Sequence, residues 1–446
     1  MTDIHLGLPL PRRVYAIIAV FCGSMVLSMD IAIAAVVLPT IAEQLNISDA
    51  KAVIFVTLYQ LILAMTLLPL SALANRLGMR KLYCLGLLLH AAGGLLILTT
   101  ESYTAALMAR SLQAIGTAAG LSVAIGLVRY IYPSQHLGKG MSLNTVANAG
   151  GTSLAPAIGG YLAASVDWRW VFCAIVPLSA IALAMFKTIP KPEIHPGRFD
   201  GKGSLLCALS IGAIIIGVEL AVHGGQVLAG ALTAALGLAV GYWFVRHELA
   251  VENPVLPLDM LANPKLSLAL LANFLATLAG MLIILYLPFY LQNSLGYGPS
   301  QVGSVLAIYA TASLLFAPTS GYLSDKVSIE LLCSLGMLVS LVGLCLMIFA
   351  PQEMSLANIT WRLWLIGAGV GMFFSPNARM IIGSVALARS AAAASLITTG
   401  RTLGQTAGAS CVAVLLVLQL SGGPAPFILA AVLVVATLII TLTRPR

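Results

Sequence analysis

Charge is scarce in this chain. Of its 446 residues only 9% are Asp, Glu, Lys or Arg, while 60% are apolar and the mean hydropathy is +1.00. A water-soluble domain carries roughly 25% charge, so the composition excludes one. Short alternating apolar segments are missing too. The apolar runs are long and continuous, which excludes a membrane β-barrel and points to helices of about 20 apolar residues each. There is no Walker loop, no HExxH and no Ser/His/Asp arrangement, so ATP hydrolysis and hydrolytic catalysis have no support, and no enzyme is expected. The seven cysteines make no CxxC and no Cys/His cluster. Each sits inside an apolar run and reads as a small core hydrophobe, with no metal site implied. The opening "MTDIHLGLPLPRR" lacks a small-residue cleavage site, so the first apolar run itself is expected to direct insertion.

What is present is a series of fourteen apolar segments, at about 14–42, 52–74, 82–99, 103–129, 140–164, 168–187, 203–222, 227–245, 266–291, 300–322, 331–350, 361–382, 391–418 and 425–442. The expected fold is an all-α polytopic membrane protein with short connections. An even number of spans puts both termini on one side. With the N-terminus inside, the inner segments hold 18 of the 23 Lys and Arg and the outer segments hold 3, namely Lys51, Arg169 and Arg362. That bias follows the positive-inside rule. It accounts for the net charge of +8 without a nucleic-acid partner.

The chain also repeats itself. Ser71, Leu73, Asn75 and Arg76 align with Gly321, Leu323, Asp325 and Lys326 at an offset of 250, each set following a corresponding helix on the inner side. Two similar halves are the usual plan of secondary transporters. The expected division is an N-terminal six-helix half at 1–187, a linker with two inserted helices at 188–265, and a C-terminal six-helix half at 266–446. The linker "KTIPKPEIHPGRFDGKG" is rich in Pro, Gly and charge, as a connector should be.

At these residues the chain resembles the major facilitator superfamily, and within it the fourteen-helix branch of drug:proton antiporters. The family's first motif, G-x-L-a-D-r-x-G-r-k, is matched at Leu73, Ala74, Arg76, Gly78, Arg80 and Lys81, with Ser71 and Asn75 departing from it. The resemblance implies an inner-gate latch made by the motif's acid with basic residues. Asn75 cannot supply that acid, whereas Asp325 beside Lys326 keeps it in the second half. "RSLQAIG" matches the span-4 motif at Arg110, Gln113 and Gly116. "GTSLAPAIGG" matches the span-5 antiporter motif at Gly151, Pro156, Gly159 and Gly160. "MDIAIAAVVLP", "WRWVFCAIVP" and "ENPVLPLDML" are similar to three further signatures of the branch.

Of the 15 acidic residues, only Asp30 and Glu219 lie deep in spans. An intramembrane carboxylate is by default functional. Asp30 is therefore the expected proton carrier or cation-binding acid, facing a water-filled cavity. Arg110 begins an i, i+3, i+7 stripe with Gln113 and Thr117. A permanent guanidinium inside a membrane demands a partner, and Asp30 is the suitable one. Glu219 is a secondary acid, spaced to meet His223 at i+4. His90 reads as an interior donor. Ala147, Gly151, Ala155 and Gly159 recur every four residues, a spacing that lets helices approach closely, and Pro156 can kink that span. They are the candidate sliding seam, and Gly160 is a gating residue of the same motif. Tyr59, Gln60, Gln113, Asn144, Asn148, Asn273, Tyr286, Tyr290, Asn377, Arg401 and Gln405 are the candidate cavity lining. Arg379 and Arg401 have the blander reading of anchors at the inner interface.

The resemblance implies export of small amphipathic or cationic drugs and biocides by alternating access, driven by a proton gradient with no cofactor. The partners implied are a small-molecule substrate, protons and membrane lipid, with the chain acting as a monomer in a bacterial inner membrane and both termini cytoplasmic. A transporter of one specific metabolite, in either direction, and a receptor or scaffold without flux are the alternatives.

Overall fold

In hydrocarbon every backbone N–H and C=O must find its partner inside the segment, which is why long apolar runs become helices. The computed structural model describes residues 7–133, 137–191, 200–223, 226–251, 256, 258–324, 326–351, 354–385, 390–418 and 423–444, and no strand occurs among them. Asp325 lies outside the described residues, as do the side chains of Asn75 and His223.

The first half of the chain forms α1 (Leu10–Gln44), α2 (Asp49–Leu77), α3 (Met79–Leu98), α4 (Tyr103–Ile131), α5 (Leu137–Ser165), α6 (Arg169–Cys173) and α7 (Val176–Ala184). Next come α8 (Gly201–His223) and α9 (Val227–Glu248). The rest forms α10 (Pro264–Phe289), α11 (Pro299–Leu323), α12 (Ile329–Ile348), α13 (Leu356–Gly383), α14 (Ser390–Val417) and α15 (Ala425–Thr443). Helices therefore stand at all fourteen expected places. By length and composition, eleven of the described helices suffice to cross a membrane. The sixth expected span departs most: it is broken into α6 and α7. Pro177 in the first turn of α7 has no N–H to give to the Cys173 carbonyl, so α6 stops there.

Local chemistry sets the helix ends. Ser48, Ser102 and Ser355 cap α2, α4 and α13, each side chain accepting a backbone N–H from the first turn. Gly78 joins α2 to α3 at φ +87°, a left-handed conformation that a side chain would strain. That is the physical reason for a glycine at this point of the first motif.

The packing repeats. α1 lies against α5 and α7, while α4 lies against α2 and α3. In the second half α10 lies against α14 and α15, while α13 lies against α11 and α12. Across the middle, α2 packs on α14 and α5 on α11, and α1 touches α10 and α11. The α8/α9 pair packs internally and on α2 and α14, beside the crossing of those two helices. At its basic end Asp200 ties the pair together: His247 Nε2 lies 2.9 Å from its carboxylate, and the Gly203 N–H donates to it at 2.8 Å. Desolvation pushes the Asp200 carboxyl up, but the Gly203 N–H and His247 outweigh that and hold it below the usual carboxylate range.

Candidate functional site

Two helices bring the site's charges together, and glycines set how close a third can come. A Cβ on Gly116 of α4 would stand 2.5 Å from the His90 N and 2.6 Å from the Gly86 O on α3. The two backbones therefore touch, which brings His90 within reach of α4. Asp30 on α1, Arg110, Gln113 and Thr117 on α4, Tyr59 and Gln60 on α2 and His90 on α3 are all fully buried.

Arg110 Nη1 donates to both Asp30 oxygens, at 2.9 and 2.8 Å, and to Gln113 Oε1 at 2.7 Å. The guanidinium also lies against two rings, Tyr59 at 4.3 Å and Phe172 at 4.9 Å from the centroids. Such a cation–π sandwich stabilises a charge removed from water. The Tyr59 hydroxyl donates to Thr117 Oγ1 at 2.8 Å, and Thr117 Oγ1 lies 2.9 Å from His90 Nδ1. One network thus runs from Asp30 through Arg110 and Gln113, with the Tyr59–Thr117–His90 chain beside it.

The expected pairing of Asp30 with Arg110 is present. The expected exposure of Asp30 to a water-filled cavity is not: the carboxylate is buried, and Arg110 rather than water offsets the cost of placing it there. Arg110 Nε and Nη2, Gln113 Nε2, His90 Nε2 and both amide atoms of Gln60 are buried with no hydrogen-bond partner among the described residues. Buried polar groups are seldom left so, and those that are tend to mark functional places.

Other candidates separate into three groups. Asn148 and Asn144 lie on α5, where Asn148 accepts from the Ser28 hydroxyl at 2.6 Å and is half-buried, while Asn144 is buried. Gln405 is half-buried on α14 and Arg401 is exposed there, with its guanidinium 5.3 Å from the Phe374 ring centre. A second group holds helices together instead of lining an opening. Asn377 is buried, donates to the Ala269 carbonyl at 3.2 Å and accepts from Arg444 at 2.9 Å. Asn273 is buried and donates to the Ile397 carbonyl. Tyr286 is buried, stacks on Tyr290, meets Phe427 edge-on and donates to the Gly423 carbonyl at 3.2 Å. These three were expected in the cavity, but each one's hydrogen bonds are used to fasten α10 to α13, α14 or the start of α15. Glu219 is half-buried on α8, in the flanking pair.

The motif residues line the ends. Arg80 donates to the Ile189 carbonyl at 3.4 Å and stacks on Phe186, Arg76 is exposed, and Lys326 lies over Tyr322. Arg379 donates to Ser324 Oγ at 2.8 Å. On α5 the small residues serve two partners. Cβ atoms on Gly151 and Gly159 would stand 2.5 Å from the Met25 O and 2.9 Å from Ile33 Cγ1, both on α1. One on Gly160 would stand 2.5 Å from the Pro299 O and 2.9 Å from Gly303 Cα, on α11. The contact across the middle is thus Pro156, Gly160 and Gly303, whereas Gly151 and Gly159 pack within their own half. Near this contact Gln292 donates to the Val36 carbonyl at 3.1 Å and Asn293 to Asp49 at 2.7 Å, joining the ends of α1 and α2 to the end of α10.

Reasoning from sequence missed Phe172 and Arg444. Phe172 lies in the "WRWVFC" signature, a signal for the family but not for a ring beneath Arg110. A buried charge network inside a polytopic helical bundle is an arrangement that membrane transport proteins use, and the family match makes this a transport protein and not an enzyme. The chain belongs to the Major Facilitator Superfamily, whose model matches residues 20–251 and 269–446. It is 35% identical over 413 residues to the uncharacterized transporter YebQ of Escherichia coli, covering 92% of this chain and 90% of that one. It is 25% identical over 447 residues to the multidrug resistance protein Stp of Mycobacterium tuberculosis, covering 97% and 82%. Its fold is similar to the crystal structure of a D-xylose–proton symporter, with a TM-score of 0.70 at 14% identity over 97% of this chain and 98% of that chain.

Proposed function

We propose that this chain is a proton-coupled exporter of small amphipathic compounds, working as a monomer by alternating access in a bacterial inner membrane, with both termini cytoplasmic. The observation that carries the reading is the buried Asp30–Arg110 pair. A carboxylate deep in a span is costly and marks ion or substrate pathways. Held by Arg110 it can stay ionised while closed off. When the two halves rock and the pair loosens, it can take a proton from one side and release it to the other. Multidrug relatives such as Stp support the export direction. The inserted pair α8/α9 flanks the α2–α14 crossing and leaves two six-helix halves to move.

The test uses everted vesicles with matched protein levels. Substrate added to energised vesicles should release protons from the lumen. Asp30→Asn should abolish uphill accumulation while still exchanging labelled substrate down its gradient. Uphill transport at the wild-type rate by Asp30→Asn would remove Asp30 as the carrier. Flux of one compound only, or binding with no flux, would favour a metabolite transporter or a receptor.

A further inference from the structure

The proposed exporter reading leaves the charge of its substrate open, and the resemblance suggests cations. The spans do not offer what a cation needs. The two carboxylates deep in the spans are Asp30, buried and neutralised by Arg110, and Glu219, on the flanking helix α8. The exposed ionised group deep in a described span is instead Arg401.

Its position follows from the contacts of α14. Gly404 and Gly408 face α10, close to the Phe274 and Leu278 carbonyls. Thr406 faces the Gln60 carbonyl on α2, across the middle of the molecule. Thr398, Arg401 and Gln405, at i−3, i and i+4, fall between these two contact lines, where Thr398 and Arg401 are exposed and Gln405 half-buried. Phe374 of α13 forms the wall beside the guanidinium. This side of α14 therefore opens between the halves. Arg401 stands eleven residues on from Ser390, the start of α14. At 1.5 Å per residue the 28-residue helix is roughly 42 Å long, and Arg401 lies within about three residues of its midpoint, deep in a hydrocarbon core of roughly 30 Å. It is too deep to be the interfacial anchor that the sequence allowed.

We infer that Arg401 and Phe374 form a recognition site for an aromatic or amphipathic compound carrying an anionic group, a carboxylate above all, so that the transported molecule is an anion or a zwitterion and not a simple lipophilic cation. The inference rests on the transporter reading of this opening. The chemistry is direct: a planar guanidinium offers paired N–H donors to a carboxylate, and Phe374 offers a face for an adjoining ring. A quaternary ammonium would meet a like charge with no acid paired to it among the described residues.

The experiment is equilibrium dialysis of the purified full chain with two radiolabelled probes of one skeleton, 2-naphthylacetate and the corresponding naphthylmethyl trimethylammonium. Wild type should bind the carboxylate about tenfold or more tighter, the size of a charge-assisted bidentate contact. Arg401→Gln should erase the difference and Arg401→Glu should reverse it. Arg401→Lys should restore part of it, which a merely misfolded site would not do. Equal binding, no binding of either probe, or preference for the ammonium in wild type overturns the inference. None of these outcomes touches the coupling role of Asp30, which is read separately as uphill transport.

Discussion

At the scale of the residue, the chemistry of the site is concentrated on one nitrogen. Arg110 Nη1 makes every hydrogen bond of the guanidinium to Asp30 and Gln113. A lysine could therefore reproduce the ion pair but not the flat contact with Tyr59 and Phe172. Arg110→Lys should retain reduced but measurable transport, and Arg110→Gln should lose it, in vesicles with matched levels. Removing one partner of a buried pair costs about 3–5 kcal/mol. Asp30→Asn and Arg110→Gln should each lower the thermal midpoint in detergent, and the double variant should be less destabilised than the sum of the two. Strict additivity would mean the pair is not coupled. This much of the site was legible in the sequence because charge is so rare in the spans that Asp30 and Arg110 had few other partners. Gln113 and Thr117 were read on the Arg110 stripe, but Tyr59 and Gln113 were also expected to line a cavity and are instead fully buried around Arg110. Asn273, Asn377 and Tyr286 were not legible. A polar side chain in a span reads the same whether it lines an opening or fastens a neighbour, and the partners that decide, Ile397, Arg444 and Gly423, lie more than 60 residues away.

At the scale of the element, α5 bridges two environments. Its Gly151 and Gly159 face α1 and its Gly160 faces α11. The four-residue spacing of small residues announced close packing but not which helix each would meet, because a neighbour's identity is set by topology and not by local pattern. The functional consequence falls on the cross-half contact. Gly303→Leu would push a side chain into the Pro156 carbonyl and the Gly160 backbone. Overpacking of this kind costs roughly 1–3 kcal/mol, charged here to one access state. The variant should reach the membrane at normal levels and lose most of its transport. Wild-type flux would show that α5 and α11 need not approach during the cycle. The helices themselves were legible from their apolar runs. The break between α6 and α7 was not read in advance, although Pro177 is its visible cause.

At the scale of the whole molecule, the repeat at an offset of 250 residues anticipated the mirrored packing of α1–α7 and α10–α15. Basic residues gathered at one end give the orientation its prediction. A reporter active only in the cytoplasm, fused after Arg446, should give signal. Signal from a periplasm-specific reporter instead would mean an odd number of crossings. The orientation also fixes what is asked of the opposite end, where Gln292 reaches the Val36 carbonyl and Asn293 reaches Asp49. These are few, neutral or singly charged hydrogen bonds, each worth about 0.5–3 kcal/mol net. In the proposed cycle, a closure of that strength should hold at rest and yield when substrate or a proton binds.

The meeting of Gly160 with Gly303 bears on speed. Where two helices interlock through long side chains, sliding requires rotamers to cross barriers in turn. At Gly160 and Gly303 bare backbone lies against bare backbone, and neither residue has a side-chain dihedral to unlock. The friction of reorientation at this point is low. If the proposed cycle runs through this contact, its enthalpic slope should reflect filling and emptying of the opening more than the disentangling of helices here.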